Sequence, residues 1–234
     1  LKGVHTHIGA YHILHGVDLA VPKGQLTMLL GRNGAGKTTT LRTIMGLWHA
    51  SKGSIHFGGK DITAMNPPAI AGMNIAYVPE NMGIFADLTV KENMLLAARS
   101  ARNAAQMDDA RLQWIFKLFP AVEKFWNHPA GKLSGGQKQM VAVSRAIVEP
   151  RDLLIVDEPS KGLAPAIINN MIDAFDQLKK SGVTILLVEQ NINFAKRLGD
   201  TVAVMDNGQV VHAGSMAALA QDEELQRSLL GLAL

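Results

Sequence analysis

Five short apolar runs are spread along the chain, and none of them alternates with polar residues. They are QLTMLL (25–30), NIAYV (74–78), DLLIVD (152–157), VTILLV (183–188) and VAVM (202–205). Continuous apolar runs of this length are typical of parallel strands, because such strands are buried on both faces. An amphipathic stretch at 166–180 is long enough for a helix that crosses over between two strands. The pattern predicts an α/β fold with a mostly parallel sheet.

Two regions depart from this pattern. Residues 4–22 and 54–57 resemble shorter strands, and we expect a small antiparallel sheet there. Residues 87–149 carry almost no strand signal and are predicted to be helical, with breaks at Pro120 and at 129–131. The chain therefore combines a sheet-based core with a small β lobe and an inserted helical lobe.

The remaining patterns favour one domain. The Asn-Gly pair in DNGQVV (206–211) predicts a late β-hairpin. The chain shows no internal repeat, so we expect a single domain over 1–234. Its core and β lobe would comprise about 1–86 and 150–234, and its helical lobe about 87–149.

Composition narrows the class of protein. The 234 residues are 47% hydrophobic and 18% charged, with a net charge of +3 spread along the chain, which argues for neither a nucleic-acid nor a lipid partner. The absence of cysteine excludes disulfides and thiolate metal sites. No apolar run approaches the roughly 18 residues of a membrane span. We expect a globular protein of a reducing, cytosolic compartment.

A glycine-rich loop follows the first apolar run. GRNGAGKT (31–38) matches the phosphate-binding pattern G-x-x-x-x-G-K-[ST] between a predicted strand and a helix-forming stretch. Its glycines let backbone amides turn toward phosphate oxygens at a helix N-terminus. Lys37 would bridge the β- and γ-phosphates, and Thr38 would ligate Mg²⁺. The predicted nucleotide-binding residues of this loop are Arg32, Asn33, Gly34, Ala35, Gly36, Lys37, Thr38 and Thr39.

An acidic pair ends the third apolar run. Asp157 could hold Mg²⁺ through water and complete the coordination that Thr38 begins. Glu158 could accept a proton from an attacking water. The structural alternative is that both carboxylates end the strand and meet solvent, but an intact phosphate loop upstream favours the catalytic interpretation.

A second glycine-rich helix entrance lies in KLSGGQKQM (132–140). Ser134 and Gln137 have the spacing of a capping box, which is a purely structural interpretation. A capping box does not require Gly135 and Gly136, however, and glycine weakens a helix by roughly 1 kcal/mol relative to alanine. Glycines suit a place where a ligand approaches the backbone, so we predict that this entrance contacts a second nucleotide, held by another subunit of a two-fold dimer.

LSGGQ between a phosphate loop and LLIVDEP resembles the ATP-binding subunits of ABC transporters, over essentially the whole chain. The resemblance implies a P-loop NTPase core, ATP and Mg²⁺ as cofactors, and a second ATPase subunit, either a related chain or a second copy. Residues 134–137 would contact the ATP of that partner. It also implies two membrane permease subunits, an indirect link to an extracytoplasmic solute-binding protein, no nucleic-acid partner, and a peripheral location on the cytoplasmic face of the membrane.

Three segments separate this chain from most of that family. Most members carry glutamine after YVP and histidine after LLVE, where this chain has Glu80 and Gln190. VPE, GLAP and VEQN are together similar to the ATPases of branched-chain amino acid importers. The resemblance places Glu80 at Mg²⁺ and Gln190 at the γ-phosphate. Because an amide cannot carry a proton near neutrality, Glu158 is left as the base. Lys161 is less usual in this branch.

The adenine contact stays open. The family's stacking tyrosine would fall at Ile8, and Tyr11 lies three residues later; the register favours Ile8. His5 and His7 suit one face of an exposed strand better than a metal site. The segment 80–94 would face the membrane subunits if the resemblance holds, and would otherwise be a solvated connector.

Two other function classes are compatible with part of the pattern. A chromosomal or DNA-acting ATPase of ABC type shares LSGGQ, but 38–133 contains no heptad-rich coiled-coil insertion. A nucleotide switch or kinase would use only the first loop. LSGGQ argues against that class.

Overall fold

A computed structural model describes residues 1–98 and 107–231. The strands, in chain order, are β1 (Lys2–Ile8), β2 (Tyr11–Val17), β3 (Leu26–Gly31), β4 (Ala50–Ser54), β5 (His56–Phe57), β6 (Lys60–Asp61), β7 (Ile75–Val78), β8 (Leu153–Asp157), β9 (Thr184–Glu189), β10 (Thr201–Asp206) and β11 (Gln209–Ser215). The α-helices are α1 (Lys37–Ile44), α2 (Pro67–Ala71), α3 (Val90–Ala97), α4 (Asp109–Leu118), α5 (Pro120–Lys124), α6 (Gly135–Ala146), α7 (Pro165–Lys180), α8 (Ile192–Leu198), α9 (Met216–Gln221) and α10 (Glu223–Leu230).

The central sheet has the strand order β11-β10-β3-β9-β8-β7. All neighbouring strands in it are parallel except β10 and β11. The five apolar runs form the five parallel strands, and every residue of β3, β8 and β9 is buried. The predicted α/β fold with a mostly parallel sheet is therefore confirmed.

The core lies on both faces of this sheet. Met28 and Leu30 of β3 pack into a cluster with the helices from α3 to α9, while Leu29 packs into a second cluster with β2 and α1. Because alternate residues of a strand point to opposite faces, a strand between two layers is apolar at every position. The parallel strands also bring their carboxyl ends to one edge, where the site described below lies.

The small antiparallel sheet is confirmed, but one of its strands was misplaced. Its order is β2-β1-β4, so its third strand is 50–54 and not the predicted 54–57. Residues 56–57 instead pair with β6 in a separate hairpin. Gly58 and Gly59 both have positive φ, which a tight two-residue turn requires.

The predicted helical stretch is confirmed within the described residues. It contains α3, α4, α5 and α6, and a 3₁₀ turn at Ala130–Lys132 occupies the predicted second break. Pro120 is the first residue of α5, where its missing N–H costs nothing. The part of this prediction at 99–106 lies outside the described residues, and the limits of the lobes stay a prediction.

Two further features complete the fold. The predicted hairpin joins β10 to β11 through Asn207 and Gly208, both with positive φ. Among the helices of 1–98 and 107–231, none is long and apolar enough to cross a membrane.

Candidate nucleotide site

The phosphate loop joins β3 to α1. Gly31 has no room for a side chain, because a Cβ there would lie 2.4 Å from the carbonyl oxygen of Met205. Gly36 has φ 101° and precedes the first residue of α1 without a side-chain cap. The first amides of α1 therefore keep their donors for another partner, and the positive end of the helix dipole favours an anion there.

Lys37 lies across this loop. Its buried Nζ donates to the carbonyl oxygens of Gly31 at 2.9 Å and Arg32 at 3.1 Å. It also lies 3.6 Å from Oε1 of Glu158. A buried ammonium needs such partners because its desolvation is costly. A phosphate oxygen would offer the same ammonium a stronger, charged acceptor.

A cavity of about 380 Å³ opens over the loop. It is lined by Ile13, Asn33, Gly34, Gly36, Lys37, Thr38, Thr39, Glu80, Glu158 and Lys161. A second opening next to it is lined by Gly31, Arg32, Asn33, Gln190 and Leu230. The structure thus brings together most of the predicted loop residues with Glu80, Glu158 and Gln190. Ile13 was missed, because nothing in a strand sequence shows which apolar residue turns toward a neighbouring loop.

Asp157 provides a test of whether Mg²⁺ fits this site. Its carboxylate is buried, Tyr77 donates to Oδ2 at 3.4 Å, and Oδ1 has no hydrogen-bond partner. Burial raises the pKa of Asp157, and the nearby charges of Glu158 and Glu80 raise it further, while the nearby Thr38 hydroxyl and the charge of Lys37 oppose the shift. An unpaired buried carboxylate oxygen beside the Thr38 hydroxyl suits a hydrated divalent cation. Thr38, Asp157 and Glu80 therefore fit the predicted metal role.

Glu158 follows β8 in a left-handed conformation, with φ 48°. Such a conformation is uncommon for a residue other than glycine and costs roughly 1–3 kcal/mol. It turns the carboxylate into the cavity, where Oε1 accepts a hydrogen bond of 2.6 Å from Nε2 of Gln190. The same Nε2 donates to Oδ1 of Asn33 at 2.7 Å. Gln190 therefore connects the candidate base to the phosphate loop, at the position where the sequence predicts a hydrogen-bond donor.

Glu189 is a site residue that the sequence analysis missed. Its side chain is 2% exposed and accepts hydrogen bonds from the backbone N–H groups of Ser160, Gln190 and Asn191, at 3.0, 3.1 and 3.3 Å. Burial raises its pKa, and these hydrogen bonds oppose the shift. A carboxylate that ends an entirely apolar run is the signal that could have revealed it. Glu189 ties the loop after Glu158 to the loop that carries Gln190.

The second glycine-rich entrance is the start of α6. Ser134 and Gln137 form both hydrogen bonds of a capping box. A Cβ on Gly136 would lie 2.7 Å from Cγ2 of Ile167, so packing against α7 already accounts for that glycine. A Cβ on Gly135 would meet nothing within 4 Å. Residues 134–137 are not among the described residues that line the two cavities at the phosphate loop.

Comparison with known proteins assigns this arrangement to a family. The family model for ABC transporters matches residues 14–161. The chain is 38% identical over 230 residues to the high-affinity branched-chain amino acid transport ATP-binding protein BraG of Pseudomonas aeruginosa, and the match covers 97% of each chain. The chain belongs to the ABC transporter family. The predicted family is confirmed.

Solved structures agree with this assignment. A crystal structure of the ADP conformation of an ABC transporter's ATP-binding cassette has a TM-score of 0.79 and 27% identity, over 98% of this chain and 93% of that one. A dimeric cassette in a post-hydrolysis state, bound to ADP and Pi, has a TM-score of 0.81 and 23% identity, over 92% and 97% of the two chains. This chain accordingly has the fold of an ABC-type nucleotide-binding subunit.

The adenine contact of this ABC subunit stays a prediction. Ile8 and Tyr11 lie opposite each other where β1 turns into β2, and Tyr11 is 76% exposed. Neither is among the residues that line the cavity over the phosphate loop, whereas Ile13 is. Ile13 lies at an irregularity of the pairing, where His7 pairs with His12 and Thr6 with Leu14.

The N-terminal histidines form a stack on the small sheet. The rings of His7 and His12 lie 4.2 Å apart, those of His12 and His15 4.0 Å, and those of His5 and His12 5.2 Å. In the part of the chain that the structure describes, no group of three acidic, histidine or cysteine side chains is arranged to hold a metal ion. The rings pack on one another, and Nδ1 of His5 also shares a hydrogen bond of 3.0 Å with Nε2 of His12.

Proposed function

We propose that this chain is the ATP-hydrolysing subunit of an importer for branched-chain or related amino acids. The observation that carries the proposal is that an ammonium and an amide donor both approach one carboxylate oxygen beside the phosphate loop. Lys37 Nζ and Gln190 Nε2 lie 3.6 and 2.6 Å from Oε1 of Glu158. The cargo rests on likeness alone: BraG is by name a branched-chain amino acid transport protein.

The mechanism follows from the roles that these residues can fill. Lys37 and the amides at the start of α1 would bind the β- and γ-phosphates, and Thr38, Asp157 and Glu80 would hold Mg²⁺. When bound, Mg²⁺ supplies positive charge to the phosphates. Glu158 accepts a proton from water as the water oxygen bonds to the γ-phosphorus and the bond to the β–γ bridging oxygen breaks.

Gln190 has a positioning role in this mechanism. Its amide cannot take a proton near neutrality, but it donates hydrogen bonds that orient Glu158 or a phosphate oxygen. Catalysis therefore depends on positioning and charge neutralisation.

A second ATPase subunit would complete the site. Gly135 leaves its backbone open at the start of α6, and the Ser134 hydroxyl retains a proton to donate after accepting its capping bond. We propose that residues 134–137 contact the γ-phosphate of the ATP held by the partner, which is a related chain or a second copy. The dimeric cassette with ADP and Pi shows that proteins of this fold can associate in pairs.

The membrane partners would meet the chain between β7 and α3. Phe85 is half-exposed there, and the Arg145 guanidinium lies 5.2 Å from the centre of its ring. We propose that 80–94 contacts two permease subunits, that a solute-binding protein acts on them from the other side, and that the chain is peripheral to the cytoplasmic face of the membrane. An exposed aromatic residue suits such an interface.

The test is sedimentation of a Glu158→Gln chain with and without Mg-ATP. This variant should bind ATP without hydrolysing it, so the dimer should accumulate with ATP and dissociate without it. A second variant that also carries Ser134→Arg should stay monomeric with unchanged ATP binding. Dimers that persist in the Ser134 variant would refute the proposal that the N-terminus of α6 contacts the ATP of the partner.

A related partner is tested separately. If the Glu158→Gln chain stays monomeric, the ATPase that copurifies with it should restore the ATP-dependent complex. Copurification with permease subunits supports the transporter assignment, whereas hydrolysis stimulated by DNA would contradict it.

A further inference from the structure

Lys161 places a second ammonium at the mouth of the cavity. Its Nζ forms an ion pair with Oε1 of Glu80 and lies 3.6 Å from Oε2 of Glu158. Lys37 approaches the other oxygen of Glu158 at the same distance. One carboxylate is therefore flanked by two cations, one from the phosphate loop and one from the loop that follows Glu158 itself.

The backbone of this loop holds Lys161 in place. Its N–H donates to the carbonyl oxygen of Glu158 at 3.2 Å, which closes a tight turn, and Leu163 N–H donates to Ser160 at 3.2 Å. Ser160 is in turn bound to the buried carboxylate of Glu189 at 3.0 Å. The turn therefore directs the Lys161 side chain back over the cavity, although the side chain itself is 57% exposed.

The ammonium of Lys161 lies in a region with more carboxylates than cations. Three carboxylates, those of Glu80, Asp157 and Glu158, lie at the ends of β7 and β8. Lys37 is occupied by two loop carbonyls as well as by Glu158. Among the described residues, Lys161 is the cation that pairs with Glu80. Glu80 is also a candidate ligand for Mg²⁺. Its Oε1 contacts the ammonium of Lys161, so Mg²⁺ and Lys161 compete for this oxygen.

We infer that Lys161 is a built-in counter-cation that substitutes for Mg²⁺ beside Glu80 and Glu158 when no nucleotide is bound. It neutralises Glu80 and Glu158 until nucleotide arrives, and Mg²⁺ must compete with it for Glu80. Lys161 therefore sets how strongly nucleotide binding depends on Mg²⁺. This inference rests on the proposed function, because it concerns the same nucleotide site.

The test compares ADP binding with and without Mg²⁺ by isothermal titration calorimetry. For the wild-type chain and Lys161→Met, the Kd of ADP is measured in excess EDTA and in excess Mg²⁺. Without the ammonium, the carboxylates repel Mg-free ADP, whereas Mg²⁺ meets less competition. We expect the ratio of the Kd in EDTA to the Kd in Mg²⁺ to rise about twofold to fivefold, the range expected for losing one partly exposed cation beside two carboxylates.

Two variants serve as controls. Lys161→Arg keeps the cation and should retain the wild-type ratio. Lys180→Met removes a similarly exposed lysine, 64% exposed, which pairs with Asp176 one turn away on α7. Because that pair does not line the cavity, its loss should leave the ratio unchanged.

The reciprocal variant separates this role from direct phosphate binding. In a Glu80→Gln background, Lys161→Met should change the ratio by less than half as much as in the wild type. An unchanged ratio in Lys161→Met, or an equal weakening of ADP binding with and without Mg²⁺, would overturn the inference. Failure of the wild-type chain to bind ADP under either condition would instead refute the proposed function itself.

Discussion

The phosphate loop and the carboxylate edge are neighbouring parts of one site but are built differently. The phosphate loop is the continuous segment 31–38, and its groups are positioned by its own backbone and by the start of α1. The carboxylate edge consists of Glu80, Asp157, Glu158 and Glu189, which lie at or just beyond the ends of β7, β8 and β9. The loop supplies amides and an ammonium for binding, whereas the edge supplies carboxylates for metal and water. Binding and hydrolysis should therefore be separable by mutation.

The strongest test of this separation is Glu158→Gln. Removing a general base lowers rates by about 10²–10⁴-fold, and we expect kcat for ATP to fall within that range. The Kd for Mg-ATP should change less than about threefold, because the phosphate loop is intact. Steady-state hydrolysis and equilibrium binding measure the two effects. A variant that hydrolyses ATP at half the wild-type rate would show that the base lies elsewhere.

Lys37→Met should weaken nucleotide binding, which Glu158→Gln leaves nearly unchanged. The Nζ of Lys37 lies among carbonyl oxygens that cannot replace its charge for a phosphate. Loss of one charge-assisted hydrogen bond costs about 1.5–3 kcal/mol, so the Kd for nucleotide should rise roughly 10–150-fold. Fluorescent-nucleotide titration measures it. Lys23→Met, in the loop before β3, is a control that should leave the Kd unchanged.

The same contrast shows how far the sequence could predict this site. The phosphate loop was predictable because its function depends on one local segment between a strand and a helix. The parallel strands were predictable because burial on both faces removes polar residues from them. The third strand of the small sheet was misplaced because its pairing with β1, such as Thr6 with Ala50, depends on distant partners.

Contacts across the carboxylate edge were not predictable for the same reason. Lys161 and Glu80 lie 81 positions apart, and Ser160 and Glu189 lie 29 apart. Only the order of β7, β8 and β9 in the sheet brings them together. A sequence pattern identified Glu158 and Gln190 individually but could not show that they share a hydrogen bond.

Glu189 offers a smaller and more specific test of the carboxylate edge. Glu189→Ala leaves three backbone N–H groups without their acceptor, so the Ser160 and Gln190 loops lose a common anchor. Since small misplacements of catalytic groups are costly, we expect kcat to fall about tenfold with KM within twofold. Glu189→Gln keeps one acceptor and should lose less. A rise in KM at constant kcat would indicate that Glu189 supports binding instead.

Replacing Asp157 tests the carboxylate edge through the thermal stability of the chain without nucleotide. Burial raises its pKa above the ordinary 3.8, so the folded chain holds this proton more tightly than the unfolded chain. The resulting stability is fully present below about pH 3.8 and is lost as the pH rises through the folded value. Near neutrality the buried charge therefore destabilises the chain when neither nucleotide nor Mg²⁺ is bound. Asp157→Asn should raise Tm at pH 7.5 by a few degrees, at about 2–4 °C per kcal/mol for a chain of this size.

The pH dependence of that gain distinguishes a buried charge from a packing effect. In thermal melts without Mg²⁺, the Tm advantage of Asp157→Asn should shrink as the pH is lowered toward 4. Asp176→Asn, at a partly exposed carboxylate paired with Lys180, should show no such gain. An advantage that stays constant with pH would contradict the argument, since neutralising a charge cannot help where the carboxyl is already protonated. That result would mean that the unpaired carboxylate oxygen of Asp157 does not lower the stability of the fold. The phosphate loop offers no such test, because the buried ammonium of Lys37 already has partners.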